Sequence, residues 1–82
     1  MKDKNDKSVH STQNKALTAF LKRRRMEAGL TMRVVGEMLN VPHSVVGKIE
    51  NQERRLDVVE LVLYCNAIGV DPQEALKVAM AP

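Results

Sequence analysis

The chain has 82 residues, a formal net charge of +3 and 2% aromatic content, which bounds it to one small domain whose core must be filled by aliphatic side chains. No apolar run approaches the roughly 18 residues of a membrane span, the polar N-terminus has no apolar signal region, and the one cysteine, Cys65, cannot form an intrachain disulfide, so a reducing cytosol is the expected setting. Residues 1–55 carry twelve basic and six acidic side chains and residues 56–82 one and four. That asymmetry is what an anion-binding face produces, and solvated surface charge can produce it too.

Residues 1–12 are polar and mixed in charge, too poor in apolar side chains to fold alone. They read as a flexible polar tail, which leaves the domain to residues 13–82. Leu17, Phe20, Leu21 and Ala28 recur at helical spacing and predict a first helix over residues 13–28, stopped by Gly29. The run Lys22-Arg23-Arg24-Arg25 wraps a full turn, so its members cannot share a face. Arg25, one turn beyond Leu21, points partly inward.

Thr31 is suited to cap a second helix, and Met32, Val35 and Leu39 make its apolar stripe. Asn40 tolerates the left-handed conformation that ends helices. Pro42 fits the first position of a third helix, whose inner face is Val45, Val46 and Ile49, with Val45 nearer the edge. Gly36 sits mid-helix, where glycine costs roughly 0.5–1 kcal/mol relative to Ala; close approach of another helix is a reason to accept that cost. Two short helices joined by a tight corner over residues 31–51 form a helix-turn-helix unit. Asp57 and Glu60 then make a capping box for a fourth helix, with Val58, Leu61, Val62, Cys65 and Ile68 as its core stripe and Gly69 as its stop. Asp71-Pro72 starts a last helix over residues 72–80, with Ala75, Leu76, Ala79 and Met80 on its apolar side. Val59, Leu63 and Tyr64 are left outside the fourth helix's stripe. A helix apolar on more than one side is buried or meets a partner, so this surplus marks either a subunit contact or packing under the fifth helix.

The segment Leu30-Thr31-Met32, Val35-Gly36, Leu39-Asn40-Val41-Pro42, Val46-Gly47-Lys48-Ile49-Glu50-Asn51-Gln52 resembles the Cro/C1-type (XRE family) helix-turn-helix DNA-binding proteins. Residues 42–60, with Lys48, Glu50, Arg54, Arg55, Leu56, Asp57 and Glu60, are most like small prophage-type repressors. The likeness spans about residues 16 to 76 and departs from the pattern at three places: Met32 stands where the family usually has a phosphate-contacting Gln, and Asn40 and Gln52 stand where it has Gly. It implies an all-α, five-helix, lambda-repressor-like domain that binds double-stranded operator DNA as a homodimer and regulates transcription, by repression. It also implies an ion pair between Arg25 and Glu50 that fixes the recognition helix against the first helix, with phosphate contact by Arg25 as the alternative, and dimerisation through Val59, Leu63 and Tyr64. The tail could then serve as a DNA-touching arm instead of lying free.

Within that resemblance, His43, Ser44, Gly47 and Lys48 are the base-contacting positions. Lys donates to guanine O6 and N7, Ser donates or accepts, and neutral His does either; Gly47 permits close approach. The phosphate-contacting positions are Met32, Arg33, Asn51, Arg54 and Arg55, although Met32 has no hydrogen to donate. Amides at the second helix's N-terminus add to them. A catalytic inventory is missing: His10, His43 and Cys65 are too scattered for a metal site, no Gly-rich phosphate loop is present, and neither an enzyme nor a cofactor is expected. The alternative functions are an antitoxin or protein-interaction module that holds a protein partner, and a restriction–modification controller; both use the same scaffold.

Overall fold

A computed structural model describes residues 11–81; of the tail expected at residues 1–12, residues 1–10, including His10, lie outside the described residues, whereas Ser11 and Thr12 cap and open the first helix. The helices are α1 (Thr12–Glu27), α2 (Met32–Leu39), α3 (His43–Glu50), α4 (Val58–Ile68) and α5 (Pro72–Met80). No strand occurs among the described residues, and the fold is the all-α, five-helix architecture expected. α1 lies along α5 and also touches α3 and α4, while α2 packs between α3 and α4.

Side-chain caps start four of these helices. Ser11, Thr31, Asp57 and Asp71 each accept from an amide of the first turn, and Asp57 and Glu60 complete the reciprocal capping box. α1 begins slightly earlier than the apolar spacing predicts, because Ser11 provides the cap. α3 is the exception. Pro42 was expected inside its first turn, but its ψ of 149 leaves it at the cap position without a side-chain hydrogen bond.

The first four helices end alike. A residue with positive φ follows each one: Gly29, Asn40, Gln52 and Gly69. Paired backbone bonds close each end, such as Leu30 N–H to Arg25 carbonyl at 3.1 Å and Val70 N–H to Cys65 carbonyl at 2.9 Å. This is the Schellman arrangement, which satisfies orphan carbonyls and turns the chain sharply. After α1, α2 and α4 the next residue is apolar and packs on the core: Leu30, Val41 and Val70. After α3 it is Glu53, which is exposed.

The core holds Leu17, Phe20 and Leu21 of α1, Val35 and Leu39 of α2, Val46 of α3, Leu61, Tyr64, Cys65 and Ile68 of α4, then Val70 and Ala75. Two expected stripes are corrected. On α4 the buried face runs through Leu61, Tyr64, Cys65 and Ile68, whereas Val58 is 76% exposed and Val62 39%. Both choices satisfy helical spacing; the observed one also gives the Tyr64 hydroxyl a buried acceptor. On α5, Ala75 is buried and Val78 and Ala79 pack on the core, while Leu76 and Met80 face solvent. Ala28, expected inside, is the exposed C-cap of α1.

Gly36 accounts for the tight corner between α2 and α3. A Cβ there would lie 2.8 Å from the Val41 carbonyl oxygen and 3.2 Å from the backbone of His43. These are backbone atoms, so an added methyl must displace the start of α3. Gly36→Ala should therefore lower stability by roughly 1–2 kcal/mol despite its better helix propensity. Gln52 holds φ 63 at a position that costs a side-chain-bearing residue energy. Gln52→Gly should raise stability by roughly 0.5–1 kcal/mol. Urea melts of the two variants should move in opposite directions.

Candidate nucleic-acid interface

The α3 helix divides cleanly into two faces. Val46, Ile49 and Glu50 are buried. His43, Ser44 and Lys48 are exposed and Gly47 is half-buried; their spacing of one and four residues puts all four on the opposite side. The N-terminus of α3 carries no side-chain cap, unlike the other four helices. Val45 N–H turns back to the Pro42 carbonyl at 2.9 Å, and the amides of His43 and Ser44 and the positive end of the dipole are left for an external acceptor.

Beneath this outer face lies a buried polar cluster. Arg25 of α1 donates from Nε to Glu50 Oε2 at 2.7 Å and from Nη2 to Oε1 at 3.0 Å, a two-point clamp on the last turn of α3. Its Nη1 donates to the Leu30 carbonyl at 2.8 Å, at the α1–α2 corner. Tyr64 of α4 donates its hydroxyl to Glu50 Oε2. The two charged side chains are only 9% and 1% exposed, and no buried side-chain nitrogen or oxygen among the described residues lacks a partner. The hydrogen bond to Glu50 raises the Arg25 pKa above its ordinary value. Burial, reinforced by the adjacent Glu50 carboxylate, pushes Tyr64 well above the normal tyrosine range.

Thus Arg25 and Glu50 are brought together, and Arg25 is turned inward, away from any phosphate. Tyr64, expected at a subunit contact, is corrected to the core: it is fully buried within its own chain and has no surface to offer a partner. Its role as the second donor to Glu50 was missed, and the available signal was chemical: a tyrosine inside a core needs an acceptor.

The phosphate positions are mixed. Arg33, Asn51 and Arg55 are exposed. Arg54 is engaged instead by Glu60, through bonds of 3.0 and 2.8 Å, which join the loop after α3 to the capped start of α4. Those bonds lower the Glu60 pKa and raise that of Arg54. Met32 is partly buried and packs on the core, with its sulfur beside Gly47, and its thioether has no hydrogen to donate to a phosphate. Among the described residues no cluster of His, Cys, Asp and Glu could hold a metal, and no helix is long and apolar enough to cross a membrane.

The helix-turn-helix family profile matches residues 21–74. An XRE-family like protein from Pseudomonas syringae pv. tomato is 42% identical over 90% of this chain and 93% of its own, with a TM-score of 0.80. The clp gene regulator ClgR from Corynebacterium glutamicum is 25% identical over 88% of this chain and 97% of its own, with a TM-score of 0.76. A point mutant of the restriction-modification controller protein C.Esp1396I has the same fold, with 20% identity, a TM-score of 0.75 and coverage of 85% of this chain and 89% of its own. No curated protein gives a match.

The buried cluster generates two expectations. Glu50→Ala leaves Arg25 buried and unpaired, a loss of about 3–5 kcal/mol, whereas Tyr64→Phe removes one hydrogen bond to a charged group, about 1.5–3 kcal/mol. Because the folded state holds Tyr64 above its unfolded pKa, its contribution is complete below the unfolded value of about 10 and is lost as pH rises further. Thermal melts should show an alkaline fall in stability that Tyr64→Phe flattens. The chain has a single tyrosine, so tyrosinate absorbance follows Tyr64 alone.

Proposed function

Because the chain belongs to the Cro/C1-type, XRE family of helix-turn-helix DNA-binding regulators, we propose that it is a cytoplasmic transcriptional repressor that binds a palindromic operator as a homodimer. The observation that carries the reading is the construction of α3. Its outer face is polar, exposed and uncapped at the N-terminus, and its inner end is clamped to α1 and α4 through Glu50. A rigidly held helix with a polar outer face suits insertion into a major groove. In this reading His43, Ser44 and Lys48 meet base edges and Gly47 allows close approach. Arg33, Asn51 and Arg55 grip phosphates, and Arg54 stays with Glu60.

The dimer reading rests on α4. Val58, Val59, Val62 and Leu63 form one solvent-facing apolar strip, of which Val59 is 67% and Leu63 40% exposed. Four aliphatic side chains together on one helix call for a covering surface. A second copy fits the symmetry of a palindrome and sets the two α3 helices about 34 Å apart, one DNA turn. The same strip also supports the second reading, an antitoxin or interaction module seated on a foreign protein.

Changing Val59 and Leu63 together to Lys should give a folded monomer with much weaker operator binding. Sedimentation of the wild type as a monomer at micromolar concentration would exclude the dimer and favour the foreign partner.

Reading and gripping separate by salt. Lys48→Ala and Ser44→Ala should each cost about 1–3 kcal/mol on the operator and far less on random duplex. Arg33→Ala and Arg55→Ala should weaken both duplexes alike and lower the magnitude of the salt slope by about one each. Titration of the four variants on both duplexes at several salt concentrations decides the assignment. Equal proportional losses for Lys48→Ala and Ser44→Ala on the two duplexes would mean that another face reads the bases.

A further inference from the structure

The first residue of α2 and the middle of α3 meet at one point. Gly47 lies on the outer face of α3 beside His43, Ser44 and Lys48 and has no side chain. A Cβ built there would stand 3.5 Å from Met32 Sδ, an ordinary van der Waals separation. The thioether therefore lies beside Gly47, at the distance at which it would touch a side chain on α3 there. Met32 packs partly on the core and stays partly exposed. The outer face of α3 thus presents an imidazole, a hydroxyl and an ammonium, and at Gly47 an apolar group lent by α2.

We propose that Met32 is a specificity-determining residue that reads a thymine 5-methyl group in the major groove at Gly47. The inference rests on the DNA-binding reading above and adds a contact to it. Thymine alone among the four bases presents a methyl group in that groove, and apolar side chains recognise it by contact. A thioether is polarisable, adapts its shape, and has no hydrogen to donate to a phosphate. Gly47 keeps the helix backbone low there, so the methyl group and the thioether can meet over it.

The test uses the full chain. Duplexes are first selected from a random pool with the wild type. Each thymine of the enriched half-site is then replaced by deoxyuracil, which lacks only the methyl group. Binding is measured for the wild type, Met32→Leu, Met32→Gln and Met32→Ala, with a melting curve for each protein. One thymine per half-site should weaken wild-type binding about four-fold when its methyl is removed, the worth of one buried methyl group. Met32→Leu, still apolar, should keep that discrimination. Met32→Gln and Met32→Ala should lose it there while responding like the wild type to every other thymine. Discrimination that persists in Met32→Gln and Met32→Ala, or a wild type indifferent to deoxyuracil at every position, overturns the assignment and leaves Met32 as a core filler. A pool that yields no enriched sequence overturns the DNA reading itself, and this inference with it.

Discussion

The arrangement depends on one buried carboxylate. Glu50 ends the helix that presents the polar face, and it is gripped from α1 by Arg25 and from α4 by Tyr64. Since Arg25 also holds the Leu30 carbonyl, the cluster ties α3, α4 and the α1–α2 corner to one point. An aliphatic contact there would be non-directional and would allow α3 to roll. A planar guanidinium and a planar carboxylate meeting at two bonds fix angle as well as distance. Desolvation opposes the gain, so the cluster's value lies more in orientation than in net stability.

Much of the fold was legible because local rules and tertiary packing agree. Thr31, Asp57 and Asp71 cap the helices that their chemistry predicts. Asn40 turns left-handed where a glycine is customary, and Gly36 lies against the backbone of the turn it makes possible. What was illegible is the choice between two equally periodic faces. On α4, a stripe through Val58 and Val62 (i, i+4) and one through Leu61 and Tyr64 (i, i+3) both satisfy helical periodicity. Mean apolarity favours neither, because nearly every residue of that helix is apolar. The deciding term is a hydrogen bond to a residue fourteen positions earlier, which no local window contains. On α5 the expected side was half right: Ala75 is buried and Ala79 packs on the core, while Leu76 and Met80 face solvent.

The candidate site was legible by position more than by partnership. Spacing along α3 places His43, Ser44, Gly47 and Lys48 together, since an eight-residue helix allows few other arrangements. It cannot foresee that Arg54 spends its guanidinium on Glu60, because that bond joins a loop to the next helix. Nor does a sequence pattern reveal that the Met32 sulfur lies beside Gly47. Departures from a family pattern mark where a site has its own chemistry, and the structure gives those departures neighbours.

Cys65 sits fully enclosed among the α4 core residues, and burial pushes its thiol above the usual range. It is the only sulfhydryl in the chain, and it is shut off from alkylating reagents while the helices stay together. Trapping of that thiol thus waits on opening of the core. The molecule carries a built-in clock for its own breathing, readable by mass without any added label on the face that α3 presents.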